Sequence, residues 1–149
     1  MSDKFFDIQP GAETTRHFQV IASMSPRYIH ATRNTLYRMG KIIYNDAKEN
    51  TKRGVRTGEL FKYGRRRLNA SAPGEAPQLR SGFLRKSLGF NVVGMTVLHV
   101  RDDAPYAGFL EDGTKKMAAR PFLRPAIDSW SPFFPVIGQQ EMAKAMGAA

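Results

Sequence analysis

SPRYIHATRNTLYRMGKIIYNDAKEN, Ser25 to Asn50, opens with serine at a helix N-cap and proline at the first helical position. Tyr28, Ala31, Thr35, Leu36, Met39, Ile42, Ile43 and Ala47 then recur at a spacing of three to four. Such spacing lays them along one side of a helix of about five to six turns. Arg27, Arg33, Asn34, Arg38, Lys41, Asn45 and Lys48 fall mainly off that stripe. Gly40 interrupts it, weakening the helix by ~1 kcal/mol relative to alanine while leaving room for another backbone to approach closely. An amphipathic helix of this length must bury its stripe on a second layer.

That layer is legible downstream. Phe90–Val93 and Thr96–Arg101 are rich in β-branched residues and meet at Gly94-Met95, the signal of a hairpin. Asp102-Asp103 closes the second strand. Ahead of it, Ser81 is placed to cap a short helix with Leu84 and Leu88 on one face and Gly89 as its stop. In the tail, Ser131 caps a helix running to about Met146, with Pro132 and Pro135 in its first turn. Upstream, Arg16–Ala22 alternates as a strand does. Phe5, Phe6 and Ile8 suit either an arm with apolar teeth or a further strand of the sheet. The expected fold is α+β: a small, mainly antiparallel sheet packed against the long helix and a C-terminal helix. With 149 residues the chain reads as one domain, 1–149, comprising an arm or strand over 1–24, a long basic loop over 52–78 and the rest of the core over 79–146.

Composition narrows the function. At 42% apolar residues the chain can build a core, yet no run approaches the ~18–20 residues of a membrane span. MSDKFFDIQPG lacks the apolar segment of a secretory signal. There are no cysteines, which removes disulfides and thiolate zinc sites, and His17, His30 and His99 share no metal-binding spacing. Net charge is +10. Much of it is concentrated in Lys52, Arg53, Arg56, Lys62, Arg65, Arg66 and Arg67, which against Glu59 give a net of +6 over residues 52–67. Leu60, Phe61 and Tyr63 interleave with these cations. A solvated loop is the commoner explanation of such a segment; the sharper one is an anionic partner, either a nucleic acid stacked and neutralised along it or an acidic protein surface.

Pro105–Ala126, PYAGFLEDGTKKMAARPFLRPA, mixes aromatics, turns and paired charges most densely. Tyr106, Phe109 and Leu110 share a face of one helical turn for which Asp103 is the available N-cap, and Gly113 ends it. Glu111-Asp112 and the arginines Arg120 and Arg124 are the local ion-pairing candidates, with Phe122-Leu123 held between two prolines.

Tyr106-Ala107, the acidic residue ahead of Gly113-Thr114, and Arg120-Pro121-Phe122-Leu123-Arg124-Pro125-Ala126 together resemble the signature of tailed-bacteriophage neck and tail-completion proteins. SAPGEAP (Ser71–Pro77) and LRSGFLRKSL (Leu79–Leu88) are similar to that family's lead-in, a Pro-Gly-Glu loop followed by Gly-x-Leu-Arg-x-Ser. The resemblance spans Ser71 to Ala126. Asp112 departs from it, standing where an aromatic or apolar residue is expected, as do the basic segment and the N-terminal extension.

The resemblance implies an α+β subunit of a ring, six-fold, in the virion at the head–tail junction and assembled in the host cytoplasm. Its neighbours would be the connector or stopper and the tail terminator or tail tube, with genomic double-stranded DNA passing through the channel. A tail terminator ring is the alternative within that class. Tyr106, Glu111, Asp112, Gly113, Thr114, Arg120, Phe122 and Arg124 are then expected at or near a subunit boundary. A carboxylate of Glu111 or Asp112 would pair there with Arg120 or Arg124. The basic segment is expected to dock on an acidic face of a neighbouring ring, since a positive lumen would retard DNA.

No triad or phosphate-binding loop motif is present in the sequence, and Asp102-Asp103 and Glu111-Asp112 read as solvated or ion-paired carboxylates more readily than as a Mg²⁺ site. An enzyme, a cofactor and a resident metal are therefore not expected. A basic nucleic-acid-binding module is the competing class.

Overall fold

A computed structural model of the chain describes residues 6–8, 26–52, 56–78 and 80–147, with the backbone alone for 6–8. The fold is α+β, with one long helix, a C-terminal helix and small antiparallel sheets. It divides into two compact units, each built from separated stretches of chain. The first holds residues up to Ile43, Phe90–Arg101 and the chain from Trp130 onward, and the second holds Tyr44–Gly89 and Asp102–Ser129.

In the first unit, helix α1 (Pro26–Asn50) contributes its turns up to Ile43. Leu36, Met39 and Ile43 are buried, as the spacing requires, and Ala31, Thr32 and Thr35 join them. The two threonines are satisfied inside the helix, their hydroxyls donating to the carbonyls of Tyr28 and Ala31 at 2.9 Å. The stripe meets a three-stranded sheet in the order β1 (Phe6–Ile8), β5 (Val97–Asp102), β4 (Leu88–Val93). β1 runs antiparallel to β5, with Phe6 opposite Val100 and Ile8 opposite Leu98. Of the two expectations for Phe6 and Ile8, the backbone follows the strand. The strand expected over Arg16–Ala22 lies outside the described residues, as does Ser25. Leu98 and Val100 alternate inward on β5, and Gly94, at φ 61, turns the hairpin.

Gly40 is in close contact with side chains, whereas the sequence suggested a second backbone. A Cβ there would sit 2.5 Å from the Phe90 ring and 2.7 Å from Leu98 Cδ1. The ring of Tyr37 adds a tilted contact on Phe90, with centroids 5.3 Å apart. At Gly138, in the C-terminal helix, the nearest atom to a new Cβ is Thr35 Cγ2 at an ordinary 3.8 Å. Gly40→Ala is therefore expected to destabilise by about 1–2 kcal/mol, overpacking outweighing the gain in helix propensity. Gly138→Ala is expected to stabilise by up to ~1 kcal/mol. Urea midpoints of the two variants check both signs.

The tail forms α4 (Arg124–Trp130), a 3₁₀ turn (Ser131–Phe133) and α5 (Phe134–Ala145). Each proline sits in a first turn, Pro132 in the 3₁₀ segment and Pro135 in α5. Sequence reading missed α4, because Pro125 inside it reads as a breaker although proline is accommodated in a first turn. Within the first unit, Ile137 is buried and Glu141 accepts from Arg38 Nη1 at 3.0 Å. The hydrogen bond from Lys144 and then that from Arg38 hold the Glu141 carboxyl below its usual range.

In the second unit, α1 ends, and residues 52–78, read from sequence as a loop, contain a two-stranded ribbon: β2 (Leu60–Tyr63) and β3 (Arg66–Asn69). Helix α2 (Phe83–Ser87) follows and buries Leu84, while Leu88, expected on the same helix face, is buried instead as the first residue of β4. Its N-cap is Gly82, at φ 82, while Ser81 Oγ accepts from the N–H of Phe83 at 3.2 Å. Gly89 does not stop the helix, because β4 has begun at Leu88.

Nor does Asp103 cap the next helix, α3 (Ala107–Asp112), whose N-cap is Tyr106. Asp102 organises this corner. Its Oδ1 accepts from Ser87 Oγ at 2.6 Å and from the N–H of Ala104 at 2.9 Å, and its buried Oδ2 has no partner among the described residues. Burial raises the Asp102 pKa above its ordinary value despite those two hydrogen bonds. The folded state thus holds this proton more tightly than the unfolded chain. The resulting stability is present below the ordinary aspartate pKa and is lost as pH rises through the folded one. Asp102→Asn is therefore expected to be more stable than wild type at pH 7, with the difference closing towards pH 3. Denaturation midpoints across that range measure it.

Candidate functional site

Glu111 is buried on α3, and its carboxylate accepts three backbone N–H groups. Oε2 takes those of Phe122 and Leu123 at 3.0 and 3.1 Å, and Oε1 takes that of Arg124 at 2.7 Å. These donors lead into α4, whose first N–H groups have no partner within the helix. The carboxylate on α3 therefore caps the start of α4 from a distance and fixes the Arg120–Arg124 segment. Of the pairing expected between Glu111 or Asp112 and Arg120 or Arg124, Asp112 and Arg124 supply the ion pair, at 3.7 Å, whereas Glu111 bonds backbone and Arg120 directs its Nε to the carbonyl of Ser71 at 3.0 Å.

The turn between these elements is as tight as its sequence suggests. Gly113 has φ 77, and a Cβ there would lie 2.8 Å from both Ala119 N and Met117 O. Thr114 pairs with Met117 as an isolated bridge. Phe122 and Leu123 are buried, which anchors the segment. Tyr106 and Phe109 are not: they are 40% and 60% exposed, and the buried face of α3 is instead Ala107 and Glu111. Phe83 on α2 is half exposed and meets Tyr106, their ring centroids 6.4 Å apart. Phe109 on α3 is thus exposed, while Glu111 on the same helix is buried and locks the Phe122–Arg124 backbone.

The basic segment divides by role. Lys52 pairs with Glu49. Arg56 Nη2 donates to the carbonyls of Asn50 and Lys52 at 3.1 and 3.3 Å, a cation at the negative end of α1. Arg53 lies outside the described residues. Lys62, Arg65, Arg66 and Arg67 form the far end of the ribbon and are exposed. Its two-residue turn places Gly64 first, at φ 59, the position that a type II′ hairpin turn reserves for glycine.

The register separates the ribbon's faces. Lys62 stands opposite Arg67 and Leu60 opposite Asn69, while Phe61 faces Leu68 and Tyr63 faces Arg66. Directly opposed residues share a face. One face therefore carries Lys62, Arg67 and the 62% exposed Leu60, and the other carries the two aromatics. Like charges directly opposite each other destabilise a ribbon unless an anion neutralises them.

Two further residues set the ribbon's base, and sequence reading assigned neither a role. Glu75, within SAPGEAP, accepts from Thr57 Oγ1 at 2.6 Å and from the N–H groups of Thr57 and Ala72 at 3.2 and 2.9 Å. The Thr57 hydroxyl is the main reason its pKa is lowered. Arg80 lays its guanidinium over the ring of Phe61, with Cζ 4.4 Å from the centroid. A cavity of about 450 Å³ opens here, with Tyr63, Ser71, Arg80, Phe83, Tyr106 and Arg120 in its wall.

Among the described residues, no group of three or more His, Asp or Glu could hold a metal ion, and no helix is long and apolar enough to cross a membrane. No protein-family model, curated protein or solved structure matches the chain.

Proposed function

We propose that the chain is a structural virion protein of a tailed bacteriophage. It forms an oligomeric ring at the head–tail junction and joins the head connector to the tail. The observation that carries the reading is the exposed aromatic pair Tyr106 and Phe109 beside Glu111, whose carboxylate fixes the Phe122–Arg124 backbone. Rigid apolar surface of this kind is what a closing subunit contact uses, because little ordering entropy is lost on assembly. The same stretch carries the Tyr-Ala, Gly-Thr and Arg-Pro-Phe-Leu-Arg-Pro-Ala residues that resemble neck and tail-completion proteins. Placement as a tail terminator belongs to the same proposal, and chemistry by interface burial needs no catalytic group.

A basic nucleic-acid-binding module is the second reading, favoured by one observation: Lys62 opposite Arg67 on an exposed face. Light scattering on the purified chain, together with duplex-DNA binding at 50 and 200 mM salt, separates the two. The ring reading expects concentration-dependent oligomers without DNA, lost in Phe109→Glu. A persistent monomer whose DNA affinity falls steeply with salt supports the module instead.

A further inference from the structure

Among the described residues, the cavity beside the ribbon is lined by two arginines, Arg80 and Arg120, and by no acidic residue. Both are held in place, Arg120 by its 3.0 Å bond to the Ser71 carbonyl and Arg80 by the Phe61 ring. Two residues of the lining each hold a buried polar atom that has no hydrogen-bond partner among the described residues: Ser71 Oγ, on a residue only 4% exposed, and Gln78 Oε1. A buried polar atom without a partner is costly, so such atoms mark places where a ligand supplies one. Phe83 and Tyr106 add aromatic surface to the same wall.

We propose that this cavity binds an acidic, extended peptide segment of a partner protein. A carboxylate of the segment meets Arg120 and Arg80, and an apolar side chain beside it rests on Phe83. An extended backbone alternates N–H and C=O groups, so with a turn of each side chain towards the cavity Gln78 Oε1 would accept from an N–H and Ser71 Oγ would donate to a C=O. Nucleic acid fits less well. A strand presents successive phosphates, yet of the cations paired in the ribbon only Arg66 shares the face of Tyr63, the ribbon residue in the cavity wall, while Lys62 and Arg67 lie on the other. A second copy of this chain is also a poor source, because it carries 23 Lys and Arg against 13 Asp and Glu. The inference takes from the proposed function only that a protein partner exists.

The test is an amide-resonance titration of the full chain with four probes: 3-phenylpropionate, the neutral 3-phenylpropan-1-ol, thymidine 5′-monophosphate, and the blocked peptide acetyl-Glu-Phe-Asp-amide. Saturable shifts at Ser71, Gln78, Arg80 and Arg120 are expected with phenylpropionate. The alcohol should bind about ten-fold or more weakly, and the peptide at least about ten-fold more tightly. Arg80→Gln and Arg120→Gln, made separately so that one can fail to fold without ending the test, should each weaken the peptide about ten-fold. Absence of saturable shifts, equal binding of acid and alcohol, or a peptide no tighter than phenylpropionate overturns the proposal. Tightest binding by the nucleotide overturns it in favour of nucleic acid. No probe requires a ring, so failure here leaves the ring reading standing, and a chain that never assembles leaves this one standing.

Discussion

Glu111→Ala is expected to lower the stability of the unit containing it by about 3–5 kcal/mol, since each buried donor left unpaired costs about 1–3 kcal/mol. Three N–H groups lose their acceptor at once, and two of those hydrogen bonds are fully buried. Against a total of about 5–15 kcal/mol for a domain, that leaves little. Glu111→Gln distinguishes this account from mere loss of volume. If its carbonyl oxygen keeps the Phe122 and Leu123 donors, its NH₂ opposes the N–H of Arg124. A loss of about 1–2 kcal/mol is then expected. Charge reversal at Arg120 should not rescue either variant, because Arg120 bonds Ser71. Urea denaturation followed by circular dichroism, with exchange protection of the Phe122–Arg124 amides, reads both effects. A Glu111→Ala protein with an unchanged midpoint would show that the three contacts carry no net stability.

Leu36→Asp is expected to abolish soluble folded protein. Leu36 is 5% exposed on the stripe of α1, beside Thr35 and Met39, which are also buried. A carboxylate there loses its hydration and gains no counter-charge, a change of more than ~4 kcal/mol at such a site. Arg33→Asp, on the exposed side of the same helix, is the control and should leave the midpoint within about 0.5 kcal/mol. Soluble Leu36→Asp with wild-type melting would mean that the stripe is not the buried face.

Much of this was legible in the residues. The 3–4 spacing over Ser25–Asn50 specified both the helix and its buried side, because a long helix offers many repeats of one signal. The β-branched runs around Gly94 specified the hairpin in the same way. Short elements were less readable. In α3 a single turn put Tyr106, Phe109 and Leu110 on one face without showing which side is buried, and the helix buries Ala107 and Glu111. Nothing local marks Glu111 as a cap for N–H groups eleven to thirteen residues away, since only tertiary folding brings them together. The ribbon was hidden by its charge. Lys and Arg are poor strand formers, and Lys62 opposite Arg67 is a pairing that local preference argues against. Glu75 and Arg80 were visible as motif residues, but their partners, Thr57 and Phe61, lie some eighteen residues back.

The most direct test of the account is the place of this chain in an assembled particle, read by reconstruction of a tailed phage that contains it. The account predicts a closed ring of copies between the head connector and the tail, with Tyr106, Phe109 and Asp112 at the contact between neighbouring subunits. Lys62 and Arg67 should face an acidic surface of an adjacent ring. A particle whose head–tail junction lacks this chain, or a ring in which Tyr106 and Phe109 face solvent, would contradict it.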